Sequence, residues 1–124
     1  MAVETRGIRH VHLMVADHQR SISFYKKVFG MEEGFRAGDI VFLHSPDRSD
    51  DLALHLAVSD EEKSRVGSQG GIEHFGISVS DRERIDDCIA TAVESGGTLV
   101  DKGEHAPGIP YAYITDPDGY VIEI

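Results

Sequence analysis

Cysteine is almost absent from this chain. Cys88 is the only cysteine among 124 residues, so an internal disulfide cannot form. Disulfides persist in oxidising compartments, and their absence indicates a reducing one, so we expect a cytoplasmic protein. Cys88 itself is better interpreted as a small buried hydrophobe on a helix than as a nucleophile.

Basic residues are also scarce. The chain carries 12 lysines and arginines against 22 aspartates and glutamates, which gives a formal net charge of −10. The basic residues are scattered, so neither a stripe that follows nucleic-acid phosphates nor a basic membrane-binding face can be drawn. No apolar run is long enough to span a bilayer. We therefore expect a small-molecule partner and neither nucleic acid nor a membrane.

One ten-residue pattern is present twice. The segments IRHVHLMVAD and IEHFGISVSD place His10 and His74 at the same offset as Asp17 and Asp81, 64 residues in both cases. A repeat of about half the chain length indicates two copies of one supersecondary unit. Each copy opens with alternating apolar residues, which predict a strand.

The order of elements within each copy is predicted to be βαβββ. In the first copy a helix begins after Asp17 and ends at Gly30, and in the second a capping box of Ser80 and Glu83 begins a helix that ends at Gly96. Three short strands follow each helix. We assign one domain over residues 1–124, with module 1 at about 7–58, a polar glycine-containing linker at about 59–71 and module 2 at about 72–124. The predicted fold is α+β, with the two modules forming a curved mixed sheet.

Histidines and one glutamate fall on the strand faces that the helices leave uncovered. Strand alternation assigns these faces the following residues: His10, His12, His55, His74 and Glu123. Each alone is more often a solvated surface group, but equivalent positions are filled in both copies. If the copies pair about a pseudo-twofold axis, these positions converge on one cavity. Two or three imidazoles with a carboxylate are typical ligands of a first-row divalent cation, and two with one carboxylate leave positions open for substrate.

Four segments, RHVHLMVAD, SISFYKKVFGM, EHFGISVSD and DPDGYVIEI, are similar to those of the vicinal oxygen chelate superfamily. This superfamily includes glyoxalase I, extradiol dioxygenases, fosfomycin-resistance enzymes, methylmalonyl-CoA epimerase and bleomycin-binding proteins. The resemblance covers the chain from Gly7 onward and implies a cup of two βαβββ modules around a divalent metal. It assigns the ligand positions to His10, His74 and Glu123, and it makes His55 a candidate fourth ligand. The bleomycin-binding branch typically lacks this ligand set, so the resemblance favours an enzyme.

Among these activities, extradiol-like ring cleavage with Fe(II) or Mn(II) is slightly preferred. Extradiol dioxygenases have a tyrosine ten residues before the metal glutamate, where this chain has Tyr113, and His105 lies near a further histidine position. A phenol and an imidazole beside a metal can orient an oxyanion and move a proton. His12 is a third candidate for proton transfer or substrate contact. The chain differs from the extradiol dioxygenase pattern at Asp50, where that pattern has a histidine.

Two other functions stay open from the sequence. A glyoxalase I-like lyase or isomerase would use Ni(II), Co(II) or Zn(II) as a Lewis acid, although His55 stands in place of a carboxylate and Met14 in place of a basic contact. A non-enzymatic protein that binds a small or drug-like molecule is the alternative from another class. The resemblance also implies a homodimer. The loops at Ser45–Asp51 and Gly103–Pro110 are expected to shape the pocket.

Overall fold

A computed structural model describes residues 2–124. Module 1 consists of β1 (Val11–Val15), α1 (His18–Phe29), β2 (Glu32–Ala37), β3 (Ile40–His44) and β4 (Leu52–Leu56). Helix α1 begins where the Asp17 side chain accepts a hydrogen bond from the backbone N–H of Arg20, and it ends at Gly30, whose φ of 65° is left-handed. Both ends of this helix are as the sequence predicts.

Module 2 has the same order of elements. After α2 (Asp60–Arg65) come β5 (Phe75–Gly76), a single 3₁₀ turn, α3 (Ile85–Glu94), β6 (Thr98–Ala106), β7 (Ile109–Thr115) and β8 (Val121–Glu123). The two sheets have equivalent strand orders, β1-β4-β3-β2 and β5-β8-β7-β6, and in each the first and last strands of the module pair in parallel. The prediction of an α+β fold built from two βαβββ modules is confirmed.

The strands form two four-stranded mixed sheets. Strands β1 and β5 each lie at the edge of their own sheet, and within residues 2–124 they do not pair with each other. Strand β5 is shorter than the alternation predicts, since its pairing covers only Phe75 opposite Ile122 and Gly76 opposite Glu123. The two modules therefore form two separate sheets, and no hydrogen bonds between β1 and β5 join these sheets into one within residues 2–124.

Three local features differ from the sequence prediction. The linker contains a helix, α2, because Ser59 and Glu62 form a capping box at its start. Before the second long helix, Asp81 caps the 3₁₀ turn by accepting from the N–H of Glu83, and α3 then begins after Arg84 without a side-chain cap, in place of the predicted capping box of Ser80 and Glu83. The segment Gly103–Pro110 is mostly strand, since β6 and β7 continue to a tight turn between Ala106 and Ile109.

One hydrophobic core serves both modules. Its members include Leu13 and Leu54 from the first sheet, Phe24 from α1, and Ile114 and Ile122 from the second sheet. Both sheets therefore pack one face on the same core. Because side chains alternate along strands, the histidines of β1 and β4 point away from it. No helix within the described residues is long and apolar enough to cross a membrane.

Candidate metal centre

Glu123 is the centre of a polar cluster on the second sheet. Its Oε2 lies 3.1 Å from Nε2 of His74, and its Oε1 lies 2.9 Å from Nε2 of His105. The strand register explains the convergence, since Glu123 pairs with Gly76 of β5 on one side and with Tyr113 of β7 on the other. The structure thus brings His74, His105 and Glu123 together, although they are far apart in sequence.

The electrostatics of this cluster keep the carboxylate ionised. The hydrogen bond from His105 has the largest effect and lowers the pKa of Glu123; burial opposes it, and the hydrogen bond from His74 lowers the pKa further. The ring of Tyr113 lies edge-on to His74 at a centroid distance of 4.9 Å. Burial, and then the charge of Glu123, raise the pKa of Tyr113, so its hydroxyl is protonated at neutral pH.

The donor atoms of this cluster fit a divalent cation. Two ligands bound at right angles about 2.1 Å from one ion lie about 3 Å apart, and the 3.1 Å between His74 Nε2 and Glu123 Oε2 matches this separation. The other ring nitrogen of His74, Nδ1, is buried and has no hydrogen-bond partner among residues 2–124. Glu73 Oε1 lies 3.3 Å away but not in hydrogen-bonding geometry. Neutral imidazole and carboxylate are the donors such ions prefer.

His10, the residue just before β1, belongs to a separate group. Its Nδ1 lies 3.0 Å from Oδ2 of Asp50, and the other carboxylate oxygen of Asp50 accepts a hydrogen bond of 3.0 Å from Nε of Arg9. The edge of the His10 ring meets Phe42 at a centroid distance of 5.9 Å. Asp50 therefore takes the place beside His10, at the position where the family resemblance predicts a histidine.

His12 and His55 form a third group on the same sheet face. Nε2 of His12 lies 3.0 Å from Nδ1 of His55, and Nε2 of His55 lies 3.3 Å from Oε2 of Glu62 in the linker helix. Burial, followed by the proximity of His55, lowers the pKa of His12 and favours its neutral form. Both nitrogens of His55 are thus engaged by other residues.

The register of β1 and β4 separates His55 from His10. Val11 pairs with Leu52 and Met14 pairs with His55, so the residue beside His10 is Asp51. Four residues along a strand span about 13 Å. The structure therefore brings His55 to His12 and not to His10.

The predicted ligands do not meet within one chain. Among residues 2–124, no three His, Cys, Asp or Glu side chains are arranged to hold one metal ion. His10 and His74 both border a cleft of about 1220 Å³ that also contacts the edge strands at Val11 and Phe75. A second depression of about 550 Å³ is lined by His105, Tyr111 and Glu123, among others. The structure therefore divides the predicted ligands into two groups, which we call half-sites: His10 in one and His74 with Glu123 in the other.

Aromatic side chains that were not predicted as site residues flank each half-site. The ring of Phe42 lies next to His10, with ring centroids 5.9 Å apart, and the ring of Phe35, which is 65% exposed, lies 6.0 Å from that of Phe42. In module 2 the ring of Tyr111 stacks on His105 at 4.3 Å and meets Tyr113 at 5.6 Å. The alternation of β3 and β7 could have indicated these rings, since they share the faces of the predicted ligands.

The two repeated modules define a class of small proteins built from paired βαβββ units. Residues 7–124 match the model of the Glyoxalase/Bleomycin resistance protein/Dioxygenase superfamily. The chain belongs to this superfamily, as its sequence motifs predict.

Its relatives within the superfamily have different activities. The chain is 33% identical to the probable lactoylglutathione lyase of Vibrio cholerae over 129 residues, covering 94% of this chain and 88% of that protein. It is 29% identical to the catechol-2,3-dioxygenase of Bacillus subtilis, covering 98% of this chain but 41% of that protein. The chain thus spans about two fifths of the length of the dioxygenase.

The fold also matches a solved structure that contains a metal. The fosfomycin resistance protein FosX from Listeria monocytogenes, in complex with Mn(II) and 1S,2S-dihydroxypropylphosphonic acid, aligns with a TM-score of 0.73 at 17% identity. The alignment covers 97% of this chain and 89% of that one. A divalent metal and a small-molecule ligand therefore occur together on this fold.

Proposed function

We propose that this protein is a metal-dependent enzyme whose divalent cation chelates adjacent oxygen atoms of a small substrate. The proposed ligands are His10, His74 and Glu123. The observation that carries the proposal is the 3.1 Å approach of His74 Nε2 to Glu123 Oε2, which is the spacing of two ligands on one ion. His55 is not among the proposed ligands. The strand register places it opposite Met14, which is four residues after His10 in the chain.

The second part of the proposal is that two copies of the chain complete each site. His10 on one sheet and His74 with Glu123 on the other do not form a three-donor site within the described chain. Strands β1 and β5 each have a free edge, and both edges border the same cleft. In a twofold-symmetric dimer, the β1 edge of one copy would meet the β5 edge of the other, and each site would receive ligands from both copies.

Exposed apolar side chains support this assembly. In a single chain, several large apolar side chains near the two edge strands and on the outer strands are at least 40% exposed to solvent. They are Ile8, Ile72, Phe35, Val100 and Ile109. Every residue of β2 and of β6 is exposed as well. Burial of such surface between two copies would stabilise a dimer at about 25 cal/mol per Å² of apolar area.

The bound cation would act as a Lewis acid that holds two substrate oxygens and lowers their pKa. Glu123 and the histidines supply the ligands, with Glu123 held ionised by His74 and His105. We assign Tyr113 and His105 the task of orienting a substrate oxyanion and exchanging a proton with it, because both lie beside the ligand pair. His12 lies two residues after His10, so the alternation of the strand directs both side chains to the same face. We propose that His12 contacts the substrate.

Extradiol-like cleavage of an aromatic ring is the preferred reaction. Its support is the combination of Tyr113 and His105 beside the ligands with aromatic walls at both half-sites, formed by Phe35 and Phe42 in one and Tyr111 in the other. Such walls favour a planar aromatic substrate, since offset and edge-on ring contacts stabilise it. The metal would then be Fe(II) or Mn(II). We also retain the cytoplasm as the expected location, from the single cysteine.

A glyoxalase I-like lyase or isomerase is the second candidate. The observation in its favour is sequence similarity, since the chain is 33% identical to the Vibrio cholerae lyase and 29% identical to the dioxygenase. Oxygen uptake distinguishes the two reactions. Fe(II)-loaded protein is expected to consume oxygen with a panel of catechols; no uptake, together with turnover of a hemithioacetal of glutathione by Ni(II)-loaded protein, would establish the lyase instead.

Metal binding by mixed variants tests the ligands and the dimer together. His10→Ala and His74→Ala are each expected to lose stoichiometric Mn(II) binding. After the two variants are mixed and allowed to exchange subunits, about half of the dimers are mixed, and one site in each is intact, so about a quarter of the sites should recover.

The possible results have distinct meanings. Recovery supports sites built from two chains, and its absence in a sample shown to contain mixed dimers means that each site lies within one chain. If the wild-type protein binds no stoichiometric metal, the metal-enzyme proposal fails and a non-enzymatic binding protein is favoured. Each variant incubated alone is the control, and neither should recover binding.

A further inference from the structure

We infer that Asp50 is a positioning residue that fixes the imidazole of His10 with Nδ1–H directed to its carboxylate and Nε2 free to bind the cation. The inference rests on the proposed function, since it concerns one of the proposed ligands. It assigns a role to a loop residue that lies outside both repeated segments. The contact that carries it is the 3.0 Å separation between His10 Nδ1 and Asp50 Oδ2.

The chemistry of this contact selects one tautomer of His10. An ionised carboxylate can only accept hydrogen bonds, so the ring nitrogen that faces it must carry the proton. In a neutral imidazole the other nitrogen, Nε2, then has the free lone pair that a metal requires. A carboxylate in this relation to a metal-binding histidine also raises the basicity of the ligand.

Asp50 is held firmly in its place. Its side chain is only 11% exposed, although it comes from a loop, and Arg9 Nε donates to its second oxygen at 3.0 Å. With both oxygens engaged, Asp50 is a partner of His10 and not an open ligand.

The neighbouring residues fix the loop and the ring. Asp51 accepts hydrogen bonds from the backbone N–H and the hydroxyl of Ser45, at 3.0 and 2.6 Å, which closes the loop. The backbone N–H of Val11 donates to the carbonyl of Asp51 at 3.1 Å and ties the loop to β1. On another side, Phe42 contacts the edge of the His10 ring. The orientation of His10 is therefore set before any cation binds.

In the part of the chain that the structure describes, module 2 has no equivalent arrangement. Nδ1 of His74 is buried without a hydrogen-bond partner, and the nearest carboxylate, Glu73, is outside hydrogen-bonding geometry. The positioning carboxylate is thus a property of the first half-site alone. Its removal is expected to affect the contribution of His10 and to leave that of His74 unchanged.

The test uses Mn(II) alone, with binding followed by calorimetry and by loss of the electron paramagnetic resonance signal of the free ion. Asp50→Ala is expected to weaken Mn(II) binding about 10- to 100-fold. Asp50→Asn keeps a carbonyl that can accept from Nδ1–H, so its loss should be smaller. Arg9→Gln removes a charge but leaves the contact with His10 intact, and its effect should be less than about threefold.

The matched control is Asp47→Asn, which removes one negative charge from the same loop at an exposed position. Asp47 has a left-handed φ of 67°, a conformation that asparagine tolerates well. Mn(II) binding should be unchanged in this variant. A loss equal to that of Asp50→Asn would mean that the loop acts only through its net charge, and the inference would be wrong.

A second measurement does not depend on metal. Long-range proton–nitrogen spectra of the metal-free protein should show His10 protonated at Nδ1, and in Asp50→Ala this preference should be lost. If Asp50→Ala is unfolded, the spectrum of the wild-type protein decides the question by itself. His10 protonated at Nε2 in the wild-type protein overturns the inference.

Failure of this inference can be told apart from failure of the proposed function. If Asp50→Ala binds Mn(II) within threefold of wild type while His10→Ala loses it, Asp50 has no positioning role but the ligand assignment stands. If His10→Ala also binds like wild type, the ligand assignment itself is wrong.

Discussion

The hydroxyl of Tyr25 in helix α1 donates a hydrogen bond of 2.7 Å to Oδ2 of Asp116 in the turn before β8, and this hydrogen bond is buried. Tyr25 is 0% exposed and Asp116 is 1% exposed. The two residues are 91 positions apart and belong to different modules. The other oxygen of Asp116 accepts from the backbone N–H groups of Asp118 and Tyr120, so this carboxylate shapes the DPDG turn and joins the modules.

Loss of this bond should destabilise the whole domain. We expect Tyr25→Phe to lower the free energy of unfolding by about 1–3 kcal/mol, because a buried carboxylate loses a donor. Asp116→Ala should cost more, since it also leaves two backbone donors unpaired. Urea denaturation measures both. Tyr113→Phe, which changes a partly exposed hydroxyl, is the control and should stay within about 0.5 kcal/mol of wild type.

The same carboxylate should make stability depend on pH. Burial raises the pKa of Asp116 above its usual value, despite the hydrogen bond from Tyr25. A raised pKa in the folded state means that the stabilisation is complete below the ordinary aspartate pKa of 3.8 and is lost as the pH rises through the raised value. The stability of wild type relative to Asp116→Asn should therefore fall from pH 4 to pH 7. A difference that stays constant or grows would contradict this sign.

Gly97 should not tolerate a side chain. A Cβ at this position would lie 2.1 Å from the carbonyl oxygen of Thr115 and 3.0 Å from the ring of Phe24. Gly97→Ala must shift backbone, so we expect a loss of about 3 kcal/mol or more in the free energy of unfolding. Gly71→Ala is the matched control, because a Cβ added there would meet nothing within 4 Å and the backbone of Gly71 is not left-handed. Equal effects of the two changes would disprove the packing argument.

His55 should contribute little to metal binding. Its two nitrogens face His12 and Glu62, and the register keeps it away from His10. His55→Ala is expected to leave Mn(II) affinity within about threefold of wild type, whereas Glu123→Gln should reduce it at least tenfold. Calorimetric titration of the two variants compares them directly. A large loss in His55→Ala would restore His55 as a fourth ligand.

The repeat, the limits of the first helix and the chemistry of the donor set follow from the sequence alone. Alternation and capping are local rules, which is why β1 and both ends of α1 lie where the sequence predicts them. The sequence also indicated His10, His74 and Glu123, because equivalent positions of a repeat keep equivalent faces. These inferences need no knowledge of which strands become neighbours.

Which of these side chains meet depends on the tertiary structure. Register places Glu123 beside His74 and His105, and it places His55 beside His12, since strand pairing and not sequence spacing sets distances across a sheet. The contact of Asp50 with His10 depends on how a loop closes onto β1. The proposed ligands lie apart because each sheet pairs only the strands of its own module, which leaves His10 with the first sheet and His74 and Glu123 with the second.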